Sequence, residues 1–240
     1  MDYHKNIRII ALPFAGGSSY SFADLEHYIP DHYHWKTLEL AGRGSRMNES
    51  SLTSIKAITA DLFQRIVPLI KDTPYMFYGH SMGTLIGYEL TKQLIRKGYP
   101  LPLCLFFTGH GAPSFERKKK IAHYDKVSFW QEIKAMGGLP QAALNNEELI
   151  ALFEPIIRAD FRAVETYAYD PTTPPFSIPV FIRAGDKEGI TIQKLKAWQK
   201  ETLLPIDLQL LPGNHFFIFD YPQMLAKQII KALTSAIEMR

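Results

Sequence analysis

The chain has little cysteine, little net charge and no long apolar run. A single cysteine, Cys104, among 240 residues excludes a disulfide within the chain. The net charge of +3 is too small to indicate a nucleic-acid-binding protein. No apolar stretch approaches the ~20 residues that a membrane-spanning helix needs. The composition therefore points away from a disulfide scaffold, a nucleic-acid binder and a membrane span.

The sequence also lacks a secretion signal and a clear set of metal ligands. Residues 1–6 lack the apolar core of a secretion signal, so we expect a cytoplasmic location. His27, His32 and His34 lie close together in the sequence, but no fourth ligand accompanies them and we expect no metal site. Cys104 lies in an apolar run, which predicts a buried core residue. With 46% hydrophobic residues, the chain is long enough for one α/β domain with a large core.

Residues 75–87 combine a strand pattern, a tight turn and a helix pattern: Tyr-Met-Phe-Tyr-Gly-His-Ser-Met-Gly-Thr-Leu-Ile-Gly. Gly79, Ser81 and Gly83 form the G-x-S-x-G motif of a nucleophile elbow, in which a strand-to-helix turn exposes the serine hydroxyl. A side chain at either glycine would collide with a neighbouring strand or helix. The flanking apolar patterns favour this interpretation over a plain glycine-rich turn. Ser81 is therefore the candidate nucleophile, and it needs a base and an acid.

Strand-like and helix-like segments alternate along the chain. Most of the strand-like runs are nearly all apolar, as is typical of strands covered on both faces. The alternation predicts an α/β fold with a mostly parallel central sheet flanked by helices. The predicted strands are 7–12, 35–40, 75–78, 103–108, 178–184 and 206–211, and the predicted helices are 52–70, 82–97, 192–200 and 221–237.

A long interval between the fourth and fifth predicted strands breaks this alternation. Helical patterns at 127–136 and 147–169 fill it, and an insertion of this length is more typical of a helical lid than of a loose loop. We therefore predict a single domain over residues 1–240 with a helical lid insertion at 112–175. The apolar faces of the lid helices can cover a channel for an apolar substrate or pack the lid onto the body, and the two roles are compatible.

A histidine near the C-terminus is the candidate base. His215 follows an apolar strand, and the carboxyl ends of strands are where an open α/β sheet builds its site. Its Nε2 would take the Ser81 proton and later pass it to the leaving group. In this fold the acid lies between the nucleophile and the histidine in chain order. Asp186 and Glu188, directly after the predicted strand 178–184, are the two candidates. We favour Glu188, three residues past a glycine, over Asp186, which remains the alternative if the turn is one step tighter.

Backbone N–H groups are the candidate oxyanion hole. The loop after the first predicted strand reads Leu-Pro-Phe-Ala-Gly-Gly-Ser over residues 12–18, and its small residues let N–H groups approach a ligand closely. The expected donors are the N–H of Met82, directly after the nucleophile, and one from this loop, which we assign to Ala15. His80 also lies in the elbow, but Ser81 occupies the apex, so the His80 ring is expected to pack sideways.

Six short motifs are spread over nearly the whole chain. They are Pro-Phe-Ala-Gly-Gly at 13–17, Ala-Gly-Arg-Gly at 41–44, Gly-His-Ser-Met-Gly at 79–83, Gly-Gly-Leu-Pro at 137–140, Ile-Arg-Ala-Asp-Phe-Arg-Ala-Val-Glu at 157–165 and Gly-Asn-His-Phe-Phe at 213–217. Together they resemble the type II thioesterases of nonribosomal peptide and polyketide synthesis. The chain departs from that family in having Glu188 where members usually carry Asp, and Asn214 where they tend to have Gly.

The resemblance implies an α/β-hydrolase fold and a discrete editing thioesterase that acts through a serine acyl-enzyme. Such an enzyme would cleave acyl or aminoacyl groups from the phosphopantetheine thiol of acyl or peptidyl carrier proteins. The arm belongs to the substrate, so no metal or cofactor is implied. The triad would be Ser81, His215 and Glu188, with the N–H groups of Ala15 and Met82 holding the oxyanion. Carrier proteins are the expected partners, without nucleic acid or membrane, and a monomer is expected.

Two other functions fit the same residues. A general carboxylesterase or lipase would use the same triad, although the lid motif and the lack of a secretion signal favour the thioesterase. A non-catalytic carrier-protein-binding partner with a relic site is disfavoured because Ser81 and His215 are intact.

The basic run at 117–120 could meet the phosphate of the arm or an acidic carrier-protein face, or be a solvated helix start.

Overall fold

The computed structural model describes residues 6–115, 119–138 and 146–239. Within these ranges six strands form one sheet in the order β2-β1-β3-β4-β5-β6, and every neighbouring pair is parallel. The predicted parallel sheet flanked by helices is therefore confirmed. The strands are β1 (Ile7–Leu12), β2 (Tyr33–Thr37), β3 (Tyr75–His80), β4 (Leu105–Thr108), β5 (Val180–Gly185) and β6 (Asp207–Leu211).

The predicted helices are present; the one at 82–97 has its predicted bounds, and the others have shifted ends. Ser54 caps α2 by accepting a hydrogen bond from the Ala57 N–H at 3.2 Å, so this helix begins three residues later than the predicted 52–70. The helices are α1 (Ala23–Glu26), α2 (Ile55–Ile70), α3 (Met82–Lys97), α4 (Lys126–Met136), α5 (Glu147–Glu165), α6 (Ile192–Lys196), α7 (Phe217–Asp220) and α8 (Pro222–Glu238), with 3-10 turns at Gly44–Arg46 and Ala197–Lys200.

The sheet separates two apolar clusters because successive side chains of a strand face opposite sides. In β1, Ile9 and Ala11 join the cluster beneath α1 and α8, whereas Ile10 and Leu12 join the cluster beneath α2 and α3. Cys104 is fully buried in the first of these, as predicted. Among the described helices, none has both the length and the apolar character that a bilayer span requires.

The segment between β4 and β5, called here the insertion, contains α4 and α5 and a third apolar cluster of its own. The predicted helices at 127–136 and 147–169 are both present, although the second ends at Glu165. Parts of the basic run and of the Gly-Gly-Leu-Pro motif lie outside the described residues. The cluster consists of Ile121, Ala122, Phe129, Trp130, Ile133, Ile157 and Phe161, and Ala15 of the body packs against it.

Parallel strands place all their carboxyl ends at one edge of the sheet. The elbow follows β3, the two candidate acids follow β5, the candidate base follows β6, and the predicted oxyanion loop follows β1. The topology therefore brings residues from four distant parts of the chain to the same edge.

Candidate active site

The nucleophile elbow has the strained backbone that its sequence predicts. Ser81 has φ of 53° and ψ of −114°, a conformation that costs a side-chain-bearing residue about 1–3 kcal/mol. Its N–H donates to the Thr108 carbonyl at 2.9 Å, which anchors the turn to β4. A Cβ added at Gly83 would lie 2.0 Å from the Leu12 carbonyl oxygen, and one at Gly79 would lie 2.6 Å from the Gly83 carbonyl oxygen. The predicted collision at both glycines is confirmed.

Three side chains form a continuous hydrogen-bonded chain at the sheet edge. His215 Nε2 lies 3.0 Å from Ser81 Oγ, and His215 Nδ1 makes a short hydrogen bond to Glu188 Oε1. The second carboxylate oxygen, Oε2, accepts the Gly185 N–H at 2.9 Å, which fixes the plane of the carboxylate. The Glu188 side chain is 2% exposed, whereas that of His215 is 22% exposed. A buried carboxylate thus orients an imidazole that remains open toward the serine.

The two candidate acids occupy different positions. Glu188 contacts the imidazole, whereas Asp186 Oδ1 accepts the Gly213 N–H at 3.0 Å and its side chain faces solvent. The Asp186 N–H donates to the Leu211 carbonyl at 2.8 Å. Asp186 therefore braces the loop that carries His215, and the turn has the wider geometry that selects Glu188 as the partner of the histidine.

The two backbone N–H groups predicted to hold an oxyanion are those of Ala15 and Met82. Within the described ranges, neither the Ala15 N–H nor the Met82 N–H donates a hydrogen bond. Met82 is the first residue of α3, whose N-terminus adds a favourable dipole for negative charge. Ala15 and Ser81 both line one small cavity, and Met82 directly follows Ser81 in the chain. The oxyanion role of the two N–H groups stays a prediction.

The second histidine of the elbow packs away from the opening, as predicted. His80 is fully buried, its Nδ1 lies 2.9 Å from Thr108 Oγ1, and its ring lies 4.9 Å from that of His215. Burial lowers the pKa of His80 well below its usual range, and the nearby His215 lowers the pKa further. Burial therefore favours the uncharged form of the His80 imidazole, and its ring packs against that of His215.

Two cavities meet at Ser81. The larger, of about 770 Å³, opens between the body and the insertion; its walls include the segment from Val164 to Tyr169 and the side chains of Lys120, Lys187 and Lys194. The smaller, of about 60 Å³, is mostly apolar. It is lined by Phe14, Ile133, Ile157, Phe161, Val164 and Phe216.

Sequence reasoning did not identify Lys187 and Lys194 as wall residues. Lys187 sits in the turn beside Glu188 and Lys194 in the short helix α6, and neither position carries a periodic signal. In the described part of the chain, no group of three or more His, Cys, Asp and Glu side chains is arranged to hold a metal ion.

Comparison with known proteins places this site in a family. The family model described as "Thioesterase domain" matches residues 7–233. Gramicidin S biosynthesis protein GrsT of Aneurinibacillus migulanus is 31% identical over 229 residues, which cover 95% of this chain and 89% of that protein.

Solved structures agree with the sequence comparison. ClbQ from the colibactin NRPS/PKS pathway superposes with a TM-score of 0.92 at 27% identity, covering 98% of this chain and 100% of that one. YbtT, a type II thioesterase from the yersiniabactin NRPS/PKS biosynthetic pathway, superposes with a TM-score of 0.86 at 28% identity, covering 97% and 94%. The resemblance drawn from the motifs is confirmed: the chain belongs to the thioesterase family, and it is a hydrolase with the α/β-hydrolase fold of the type II thioesterases.

Proposed function

We propose that this thioesterase is an editing enzyme that hydrolyses acyl or aminoacyl groups from the phosphopantetheine thiol of carrier proteins. The observation that carries the proposal is the contact chain from Ser81 through His215 to Glu188, which opens into the cavity of about 770 Å³. A thioester at the end of a long arm needs a route from the surface to the nucleophile, and this cavity supplies one. The biosynthetic pathways named for GrsT, ClbQ and YbtT support the same substrate class.

The first half of the reaction forms an acyl-enzyme. Ser81 Oγ attacks the thioester carbonyl carbon while His215 Nε2 takes its proton, and Glu188 stabilises the imidazolium that results. The carbonyl oxygen becomes an oxyanion between the Ala15 and Met82 N–H groups, and each such donor is typically worth about 3 kcal/mol in the transition state. The C–S bond then breaks, and the departing thiolate takes the proton from His215.

The second half of the reaction returns the enzyme to its starting state. His215 Nε2 takes a proton from a water molecule, whose oxygen attacks the acyl carbon on Ser81. The tetrahedral intermediate collapses, the carboxylic acid leaves, and the proton returns to Ser81 Oγ. Every group in this scheme comes from one copy of the chain, and no step calls for a metal or a bound cofactor.

The charges of the larger cavity suit the phosphate of the arm. Lys120, Lys187 and Lys194 line it, and none of the three forms an ion pair with another described residue. The carboxylates at the same walls are already engaged: Glu188 binds His215, and Glu165 accepts the Ile121 N–H at 2.6 Å. Ammonium groups without an ion-pair partner attract a phosphate diester.

We further propose that the insertion at 112–175 is a lid within a single domain. Its helices α4 and α5 supply Ala135, Met136, Val164 and Glu165 to the cavity walls, whereas Ser81 comes from the body. A substrate held there is enclosed by both parts of the molecule. Lid packing and channel roofing, both left open by the sequence, are then two aspects of one arrangement.

The direct test is to follow an acetyl-phosphopantetheinyl carrier protein by mass spectrometry with wild-type enzyme and with Ser81→Ala. We expect loss of the acetyl mass with wild-type enzyme and at least about a thousandfold slower loss with Ser81→Ala, because triad members act as a unit. Ser50→Ala, at an exposed serine, is the matched control and should behave as wild type.

Three results would contradict the proposal. Equal hydrolysis by Ser81→Ala and wild-type enzyme would remove the acyl-enzyme mechanism. A higher kcat/KM for a simple oxygen ester than for the carrier-bound thioester would instead indicate a general carboxylesterase. Carrier binding without any turnover by the wild-type enzyme would indicate the non-catalytic partner.

A further inference from the structure

A buried ion pair joins two residues that the reaction scheme does not use. Arg43 lies in the loop after β2 and Asp160 in α5, 117 residues apart in the chain. Arg43 Nη1 lies 2.6 Å from Asp160 Oδ2, and Arg43 Nη2 lies 2.8 Å from Asp160 Oδ1. The two side chains are 5% and 0% exposed. A bidentate pair in this geometry fixes both side chains against each other.

The pair also holds the loop that carries the proposed oxyanion donor. Asp160 Oδ2 accepts the Gly16 N–H at 2.7 Å, and Arg43 Nη1 donates to the Gly17 carbonyl oxygen at 3.1 Å. Both contacts lie within two residues of Ala15. The insertion, through Asp160, therefore bonds directly to the backbone of the oxyanion loop.

The hydrogen bond from Gly16 selects one of two shapes for this loop. Residues 14–17 form a tight turn, closed by the Gly17 N–H on the Phe14 carbonyl at 2.8 Å, with Gly16 at φ of +81°. A positive φ at the third residue is that of a type II turn, which differs from type I by a flip of the central peptide. That peptide joins Ala15 to Gly16, and its N–H is the one that Asp160 binds.

Stability does not account for the pair. A buried ion pair is weak evidence for stability, because desolvation offsets the attraction and apolar residues of similar volume often serve as well. Arg43 Nε adds to the cost, since it is buried without a hydrogen-bond partner among the described residues. The pair instead supplies a carboxylate at one fixed place beside the Gly16 N–H.

We propose that Arg43 and Asp160 are positioning residues that hold the oxyanion loop in its reactive shape, and do so only while α5 is seated against the loop. The inference rests on the proposed Ser81 reaction with Ala15 as a donor. Asp160 binds the flip-prone peptide, and Arg43 holds the Asp160 carboxylate in place and binds the far side of the turn. When α5 withdraws, the Gly16 N–H loses its acceptor and the turn is free to flip.

The coupling extends to the rest of the insertion because α5 also holds its first part. Glu165 accepts the Ile121 N–H at 2.6 Å, and Arg158 donates to the Ala122 and Tyr124 carbonyl oxygens at 2.9 and 2.8 Å. A movement of the insertion would therefore carry α5 with it. Seating of the insertion and assembly of the oxyanion hole then become a single event.

The test compares two double variants of nearly the same shape that differ in the polar groups at position 160. In Arg43→Gln/Asp160→Asn the amide oxygen can still accept the Gly16 N–H, whereas in Arg43→Gln/Asp160→Leu a side chain of nearly the same shape cannot. Hydrolysis of an S-acetyl N-acetylcysteamine thioester reports kcat and KM. We expect the Leu variant to have a kcat at least about tenfold below that of the Asn variant, with KM within about threefold, since losing one oxyanion donor outright costs about 10²–10³ in kcat.

A transition-state analogue separates positioning from general damage. A trifluoromethyl ketone forms a hemiketal with a reactive serine and places its oxyanion in the hole, whereas the matching methyl ketone binds without forming the adduct. We expect the ratio of the two affinities to fall in the Leu variant by the same factor as kcat. If Arg43→Gln/Asp160→Leu does not fold, Arg43→Gln/Asp160→Ser, whose hydroxyl is too short to reach Gly16, replaces it in both assays.

Equal kcat values and equal analogue ratios in folded Asn and acceptor-lacking variants would overturn the inference. The same holds for a loss of activity that appears only in KM. Failure of the proposed function is a separate outcome, because it appears in the wild-type enzyme and in Ser81→Ala before either double variant is measured.

Discussion

The body of the molecule and the insertion are packed in different ways. In the body, two large apolar clusters enclose the sheet from both sides, and Ser81, His215 and Glu188 emerge from its strand ends. The insertion has a smaller cluster of its own. It is joined to the body by Ala163 and Val164 of α5, which belong to one of the body clusters, and by polar contacts such as that of Asp160 with Arg43. Ser81, His215 and Glu188 therefore stand on the part with the larger clusters, while the part with the smaller cluster lines the cavity beside them.

The largest expected effect lies in the body. Glu188→Gln keeps the size of the side chain but removes the charge that stabilises the imidazolium and sets its tautomer. Loss of the corresponding charge in a Ser-His-Asp triad lowers kcat about 10⁴-fold, and we expect a comparable loss here. Steady-state hydrolysis of the carrier thioester measures it.

Asp186→Asn is the matched control, because the Asp186 side chain accepts the Gly213 backbone N–H and does not contact His215 among the described residues. Its activity should stay within about threefold of wild type. If Asp186→Asn were the inactive variant and Glu188→Gln the active one, the assignment of the acid would be reversed.

The second largest effect is expected from truncating a buried Phe, and it compares the packing of the body with that of the insertion. Phe107 in β4 and Phe129 in α4 are both fully buried, the first in a body cluster and the second in the insertion cluster. Phe107→Ala should lower the free energy of unfolding by about 3–5 kcal/mol, as is typical of a buried Phe truncation. Phe129→Ala should lower it less, because the insertion can open locally before the body unfolds.

Urea unfolding and hydrogen exchange together measure this difference. In Phe129→Ala, faster exchange should be confined to α4 and α5. If both variants lost the same global stability with exchange spread evenly, the insertion and the body would be one cooperative unit and the comparison would fail.

The smallest effect is a pH dependence in the body. Because burial lowers the pKa of His80 well below its usual range, the folded state keeps this ring neutral while the unfolded state binds a proton below pH of about 6.5. The stability contributed by neutral His80 is present above that pH and is lost as the pH falls toward the folded-state pKa. The slope is up to about 1.4 kcal/mol per pH unit.

Urea unfolding between pH 8 and pH 5 measures the slope. His80→Gln should reduce the loss of stability on the acid side, whereas His27→Gln, at an exposed histidine, should leave the wild-type slope. An unchanged slope in His80→Gln would mean that His80 is protonated in the folded state.

Local signals in the sequence predicted the parts of the fold that local geometry determines. The elbow follows from a serine between two glycines at which any side chain would collide with backbone, and the Met82–Lys97 helix has its predicted bounds. The ends of a strand depend on its pairing with a neighbouring strand, which a local pattern does not show. The sequence predicts β2 at 35–40, but β2 spans Tyr33–Thr37 because its register with β1 begins with Ile7 opposite Tyr33.

The features of the site that the sequence did not predict depend on contacts between residues far apart in the chain. The choice between Glu188 and Asp186 depended on the width of one turn, which only the position of His215 reveals. Arg43 and Asp160 each lie in a motif that resembles the family, but nothing in either motif indicates that the two side chains meet across 117 residues. A charged residue looks the same in sequence whether it is solvated or buried against a partner.

The backbone of Ser81 has a consequence for how the enzyme is made. Since the strained turn exists only when β1, β3 and β4 are already in place around it, a newly synthesised or unfolded chain carries an ordinary, inert hydroxyl. Covalent labelling of this serine by a fluorophosphonate would thus count finished molecules, and a cell would be spared stray acylation by chains that are still folding.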